Sequence, residues 1–398
     1  MFEENILLER LRISVLAPYE RPWSDVELVK ECIIIPYLLY KNHGYDVTIV
    51  GAAPEGIPAG LYTENNIDVL YEKYYKNSRY IPGLKFRLFE KWDKQIRKEY
   101  IENYGRNVDI LYLRGAYDLN VYIAPLFKKI NPDGIALCAL DANSYWMDKI
   151  YWYIPSFMDF INSCDIMTTS CTAMADFLSV KWPCHVHSII NGFFDLTINH
   201  KHKVDFGDRE NIILTVGRLG TNQKSTDVLL EAFAIAADFI PEWKLYLVGS
   251  IEDQFMPYIN DYLNRNEKIS DRIVFTGPVS DRDDLASYYD KAKVYVLTSE
   301  LEGGTNNATS EALGRGLVPI TSKIDAYEDI TDNEQLGGCF EIGDVNALAQ
   351  IIIDLCNRTD LQRESEKVYA YAEKVYDMER ITGKLNELIK RNQQKNLH

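Results

Sequence analysis

Residues 294–322 read VYVLTSELEGGTNNATSEALGRGLVPITS. The apolar run Val294–Thr298 predicts a buried strand, and Val318–Thr321 predicts another. Between them stand Gly303, Gly304, Gly314 and Gly316, the pair Asn306 and Asn307, and Glu300, Glu302 and Glu311. A glycine-rich turn from a strand into a helix leaves backbone N–H groups free to face a ligand. The helix that follows, from about Ala308 to Gly314, adds its positive end. Gly303, Gly304, Thr305, Asn306, Asn307 and Ala308 occupy that junction. Alone they are a weak signal for a phosphate loop, since many ordinary loops are rich in Gly and Asn.

A second junction supplies the missing charge. The strand Ile212–Val216 is followed by Gly217, Arg218 and, a few residues on, Lys224, just before a helical pattern over Thr226–Phe239. Gly217 lets the chain turn sharply. Arg218 and Lys224 put two cations on the sheet edge that also carries the 303–308 loop. A diphosphate asks for such a set: two positive charges and several N–H donors.

Working outward, both flanks repeat short apolar runs separated by amphipathic ones, the pattern of parallel α/β sheets. Downstream of residue 210 the strands are Ile212–Val216, Lys244–Val248, Ile273–Phe275, Val294–Thr298, Val318–Thr321 and Cys339–Ile342, with helices including Asp283–Ala292 and Val345–Cys356. Upstream they are Arg12–Leu16, Val47–Val50, Ile110–Leu113, Ile135–Leu140, Ile166–Thr168 and Val186–Ile190. Helices are expected near Leu119–Ile130, Tyr145–Ile161 and Thr172–Val180. Another should open on the capping box Ser24-Asp25-Val26-Glu27, run to about Asn42 and stop at Gly44. The rhythm is lost between 193 and 210. Two domains side by side follow, and their strand ends should face one cleft, where open α/β sheets bind ligands.

The composition agrees. A chain of 398 residues with 46% hydrophobic content has room for two cores. The formal charge of -16 and the isoelectric point near 4.9 argue against nucleic acid as a partner. Seven scattered cysteines without a close pair fit free thiols in a reducing compartment. The opening MFEENILLERLRI carries acidic residues and lacks the apolar core of a signal peptide, so a cytoplasmic location is expected.

One stretch departs from this balance. Residues 73–106 hold ten Lys or Arg against four Asp or Glu, interleaved with Tyr74, Tyr75, Tyr80, Phe86, Phe89, Trp92, Tyr100 and Tyr104. Phe86, Phe89, Ile96 and Tyr100 fall near helical spacing. Two readings stand: a surface helix packed on its sheet, or an interfacial helix that meets an acceptor or the inner membrane face.

GRLGTNQKSTDVLLEAF (217–233), LYLVGS (245–250) and the stretch IVFTGPVSDRDDLASYYDKAKVYVLTSELEGGTNNATSEALGRGLVPITS (273–322) resemble the donor half of a GT-B glycosyltransferase of family 4. The resemblance is strong over 211–355 and fainter upstream, where Ile189-Ile190-Asn191-Gly192 is similar to the family's last strand before its linker. It implies an α/β fold of the GT-B type: two Rossmann-like, doubly wound domains facing a central cleft, with a C-terminal helix returning to the first. The expected division is an acceptor-binding domain over 1–192, a linker over 193–210, a nucleotide-sugar-binding domain over 211–368, and the returning helix over 369–398. The implied activity is transfer of a sugar, with retention, from a nucleotide-diphosphate sugar to a glycan or lipid-linked acceptor, in the synthesis of a cell-surface polysaccharide or glycoconjugate.

Residue by residue, the resemblance implies that Gly217, Arg218 and Lys224 hold the diphosphate and that Glu311 holds the ribose diol. Glu302 would contact the donor sugar, and the amides of Gly303, Gly304, Thr305, Asn306, Asn307 and Ala308 would hold sugar and phosphate. Val279 would meet the base, UDP and GDP being equally compatible. Asp141 is the carry-over on the acceptor side, and Glu302 with Asp141 form the expected catalytic pair. No cofactor or metal is implied. The chain departs from the family in three places. Eight residues separate Glu302 from Glu311 where seven are usual, Pro18–Trp23 replaces a glycine pair, and Leu140-Asp141 lacks the histidine that often precedes the aspartate.

Other features invite competing explanations. Asp281-Arg282-Asp283 could clamp a metal, but its place at a helix start favours capping. His185 and His187 share a strand face without a second ligand cluster. A sugar-nucleotide epimerase or a phosphorylase of the same fold, and a non-catalytic sugar-binding protein, are the alternative functions.

Overall fold

The computed structural model describes residues 10–76, 81–196 and 204–396. Two sheets organise them. The first contains β1 (Arg12–Leu16), β2 (Asp46–Ala52), β3 (Gly60–Tyr62), β4 (Lys85–Phe89), β5 (Ile110–Arg114), β6 (Ile135–Leu140), β7 (Ile166–Thr169) and β8 (Val186–Ser188), in the order β3-β4-β2-β1-β5-β6-β7-β8. Its described pairings are parallel except β3 on β4. The second contains β9 (Ile212–Val216), β10 (Lys244–Val248), β11 (Ile273–Gly277), β12 (Val294–Leu297), β13 (Val318–Ser322) and β14 (Gly338–Phe340), all parallel, in the order β11-β10-β9-β12-β13-β14. In each sheet the order reverses direction beside a central strand, between β1 and β5 and between β9 and β12. Those are the points where such sheets open a crevice.

The strands are apolar because helices cover both faces. Val294, Tyr295, Val296 and Leu297 are all buried, as are Ile135, Ala136, Leu137 and Cys138. One apolar core fills the first domain. It continues through Leu313, Tyr376 and Ile381 into the inner side of the second domain and the C-terminal helix, and a separate cluster fills the outer second domain.

Four local expectations are corrected. The 86–100 stretch is not one helix. Its first part is β4, paired in parallel with β2, with Phe86 and Leu88 buried at a spacing of two. Asp93 then caps a helix over Lys94–Tyr104, its side chain accepting from the Ile96 N–H. The aromatics of this region are core: Tyr75, Phe86, Trp92 and Tyr100 are buried, and so is Arg97, whose guanidinium donates to the carbonyls of Trp92 and Tyr19. Of the aromatics expected on an interfacial face, these four are turned to the core, Phe89 and Tyr104 are half-buried and Tyr74 is exposed. Lys91, Lys94 and Lys98 are exposed, while Tyr80 lies outside the described residues.

The capping box does form, with Glu27 accepting from the Ser24 N–H at 2.8 Å, yet it caps a short 3-10 turn. The helix proper begins at Glu31 and ends at His43, with Gly44 left-handed at φ 75°. The helix expected over Tyr145–Ile161 is two, Ser144–Met147 and Pro155–Ser163, because a residue before proline is pushed out of the helical region. The C-terminal helix is likewise two pieces. Leu361–Val375 packs on the helix Asn307–Gly314, and Met378–Asn396 packs on Glu31–His43.

The chain changes domain at their junction. Phe193 donates to the Tyr376 carbonyl at 2.6 Å, and Met378 donates back to the Phe193 carbonyl at 3.1 Å. Of the 193–210 stretch, residues 197–203 lie outside the described ones. Tyr45 donates to Asn386 at 2.8 Å and ties the last helix to the first domain. Among the described residues no helix is long and apolar enough to cross a membrane.

Gly192 sits in the crossing, where a Cβ would come within 2.6 Å of the Tyr376 carbonyl oxygen. Gly192→Val is expected to lift the Met378–Asn396 helix and to lower stability by about 1–3 kcal/mol. Urea unfolding measures it, and an unchanged midpoint would show that the crossing carries no strain.

Candidate functional site

The cleft is built from loops at the carboxyl ends of both sheets. β9 ends at Gly217, whose carbonyl lies so close to Gly249 that a Cβ on Gly249 would overlap it. The next loop holds Arg218 exposed to solvent, with one long contact of 3.4 Å to Gln223. Ser225 takes a left-handed conformation, φ 42°, before the helix Thr226–Ala236. The loop after β12 is knit to this one. Glu300 donates through its backbone to the Gln223 carbonyl at 2.9 Å, and Gln223 Nε2 donates to the Leu301 carbonyl at 2.9 Å. Glu302 is buried and ion-paired with Lys224, and it accepts from Ser299 Oγ at 2.6 Å. The extra residue between Glu302 and Glu311 therefore does not turn Glu302 away from the cations.

Asn306 caps the helix Asn307–Gly314, its side chain accepting from the Thr309 N–H at 2.9 Å, and its own Nδ2 is buried without a partner. Glu311, one turn into that helix, is paired with Arg282. Asp281 caps the helix Arg282–Lys291 by accepting from the N–H groups of Asp283 and Asp284, as its place at a helix start suggested. Val279 lies partly buried before that cap. Among the described residues no three His, Cys, Asp or Glu side chains gather as a metal site, and the His185 and His187 rings face each other with centroids 4.4 Å apart.

The first domain closes directly onto this loop. Asp141, just past β6, stands against Gly303, where a Cβ would collide with its carboxylate. Ser170, past β7, donates to the Gly303 carbonyl and blocks any Cβ on Gly304, whose φ is 107°. Asn191 donates to the Thr305 carbonyl at 2.9 Å, and Asn307 donates to Glu31 at 3.0 Å. The two glycines thus do more than bare their amides. They let the other domain rest on the main chain of the loop.

Four contributors were missed by sequence reasoning: Glu31, Arg114, Ser170 and Arg282. Arg114 ends β5, pairs with Glu31 and lies 3.5 Å from Asp141, and the Tyr117 hydroxyl is also 3.5 Å from Asp141. A small recess lies between Glu31, Arg114 and Asp141 on one side and Thr168, Thr169 and Asn191 on the other. Burial works against the charge of Glu31, but Arg114 and the Asn307 amide more than offset it, so its carboxyl is held below the ordinary carboxylate range. A larger recess, about 1090 Å³, lies under the domain crossing beside Phe193, Arg315 and Tyr369, away from these strand ends.

Residues 210–358 match the family model described as glycosyl transferases group 1. The second domain belongs to that family. Every residue from Gly217 to Glu311 on which the sequence places a donor-side expectation falls within this match. No curated protein matches the chain. Solved structures do. A sucrose-phosphate synthase from Thermosynechococcus elongatus is 17% identical, with 96% of this chain and 99% of that one covered at a TM-score of 0.70. HepE from Anabaena, solved in complex with UDP, is 14% identical over 96% of this chain and 100% of its own, at 0.67. TarM from S. aureus is 16% identical over 75% of this chain and 59% of its own, at 0.57. At such identities the likeness is one of fold, and the fold is GT-B: two domains built on parallel sheets, with C-terminal helices.

The Glu31 clasp has a testable sign. A carboxyl held low in the folded state adds stability that is full above the ordinary carboxylate range and lost as pH falls through it. Glu31→Gln should cost about 2 kcal/mol near neutral pH, less than for a fully dry pair. The gap to wild type should shrink below about pH 4. A gap that stays constant from pH 7 to 3 in urea titrations would remove the ion pair from the account.

Proposed function

We propose that the protein transfers a sugar, with retention, from a nucleotide-diphosphate sugar to a glycan or lipid-linked acceptor during the synthesis of a surface polysaccharide or glycoconjugate. The observation that carries this is the meeting at one cleft of a cationic turn, Gly217 to Lys224, with the glycine loop that the first domain covers. HepE and other matched structures were solved with UDP, UDP-glucose or a fluorinated analogue of it, which supports a nucleotide-sugar as the donor.

In this proposal Arg218, Lys224 and the amides from Gly303 to Ala308 take the charge of the leaving diphosphate, at the positive end of the Asn307–Gly314 helix. Glu311 accepts from the ribose hydroxyls after Arg282 yields one carboxylate oxygen, and Val279 borders the base. Glu302, fixed by Lys224 and Ser299, faces the donor sugar. Asp141 faces it from the other domain, across Gly303. The bond from the anomeric carbon to the phosphate oxygen breaks as the acceptor oxygen bonds to the same face, and the acceptor proton passes to the departing phosphate oxygen. Catalysis then consists of holding the reactants and stabilising the leaving group.

Two variants separate binding from folding. Arg218 is exposed, so Arg218→Ala should weaken UDP by about tenfold, the loss of one charge-assisted hydrogen bond, at unchanged stability. Lys224→Ala should weaken UDP and also lower the melting temperature, because it strands the buried Glu302. Calorimetry with UDP and a thermal-shift panel of UDP, GDP and ADP read both effects. Unchanged affinity in the two variants would sink the diphosphate assignment.

Turnover is expected to survive EDTA, since the two cations and the helix end supply the positive charge. Activity lost on chelation and restored by manganese or magnesium would put a metal back into the reaction.

A further inference from the structure

The break between the helices Ser144–Met147 and Pro155–Ser163 leaves an aromatic segment in solvent. Tyr145 is 49% exposed, Trp146 57%, Tyr151 62% and Tyr153 64%. They form two pairs along the segment, Tyr145 with Trp146 at 5.1 Å between ring centroids and Tyr151 with Tyr153 at 5.9 Å, and open rings so grouped mark a surface that a partner can cover. The segment is also fixed in place. It starts three residues after Asp141, and Ser144 donates from its N–H and its hydroxyl to the two oxygens of Asp325 in the second domain, both at 2.7 Å. The start of the segment is therefore tied to the second domain, close in sequence to Asp141.

We propose that Trp146, Tyr151 and Tyr153 form a platform for a neutral, hydroxyl-rich glycan, the acceptor chain of the proposed transfer. This deepens the acceptor side of that function and rests on it. The faces of a pyranose present C–H groups and its rim presents hydroxyls. Aromatic faces are apolar and carry negative quadrupole charge, which suits the C–H face, while phenol and indole edges can pair with hydroxyls. The charge of the segment fits a neutral partner. Between Asn143 and Pro155 the charged residues are Asp148 and Lys149, which sum to zero. Asp148 is paired with Lys181 at 2.8 Å, and Lys149 lies over the Tyr145 ring, 3.4 Å from its centroid.

A surface that docks on anionic lipid needs an excess of cations, which this one lacks. The ring planes differ too. Tyr145 and Trp146 are inclined by 81°, Trp152 and Tyr153 by 77°, and Tyr151 and Tyr153 by 58°. Successive sugars of a twisting chain can meet rings at such angles.

The test uses the full chain and an immobilised panel of neutral oligosaccharides of glucose, galactose, mannose and N-acetylglucosamine. Wild type is compared with the triple variant Trp146→Ala, Tyr151→Ala, Tyr153→Ala and with Trp146→Phe, which keeps an aromatic face. The expected result is retention of at least one oligosaccharide by wild type, weakened about tenfold or more in the triple variant and largely kept in Trp146→Phe. Thermal stabilisation by UDP should be the same in all three, which shows that each is folded. No difference between wild type and triple variant on the panel overturns the platform. So does co-sedimentation with zwitterionic or anionic vesicles that depends on the same rings, since the partner is then a membrane. If wild type binds oligosaccharide through these rings but no nucleotide, the platform stands and the transferase falls. If it binds UDP but no oligosaccharide, the reverse holds.

Discussion

Everything at the cleft depends on how near two backbones can come. The main chain at Gly303 and Gly304 is pressed between its own sheet and the strand ends of the other domain, where Asp141 and Ser170 occupy the space that side chains would take. A single methyl at Gly304 would press on the Ser170 main chain and hold the domains apart, while one at Gly303 would displace the Asp141 carboxylate. The polar contacts that flank it, Asn191 to Thr305 and Asn307 to Glu31, span only hydrogen-bond distances and exist because of that approach. So the choice of glycine, which in sequence looks like a concession to a ligand, is first a condition for assembling the site.

The charges around the loop are arranged in pairs, each awaiting a different competitor. Lys224 is held by Glu302, and Arg282 by Glu311. Pairing satisfies carboxylates that burial would otherwise penalise. Arg218 differs, being exposed and weakly held.

Much of the fold was legible because it is written in short apolar runs. Arg12–Leu16, Ile135–Leu140, Ile212–Val216 and Lys244–Val248 were read from the sequence with the bounds the structure has. β4 was not, since KFRLF is as compatible with a helical stripe as with alternation. Only its pairing with β2 decides. The loops over Gly217–Lys224 and Gly303–Ala308 were legible from local motifs, each being continuous in sequence. Most of their contacts with the first domain were not. Glu31 and Asn307 are 276 positions apart, and neither has a local signature that points to the other. Faint signals existed: Arg114 closes an otherwise apolar strand, and Glu31 is an acid at the head of the apolar stretch CIIIPYLL. Both are unexplained by a core and ask for a partner.

The chain passes between domains twice, at Phe193 and at Tyr376–Met378, and the two passages are bonded to each other. Rotation about the line they share leaves those bonds intact, whereas sliding one domain along the other would break them. The molecule is in that sense a book with one spine. A turn about that spine that widened the gap at Asp141 would lift Ser170 and Glu31 from the loop at the same moment. Access and assembly are two readings of a single coordinate, and no opening can serve one without undoing the other.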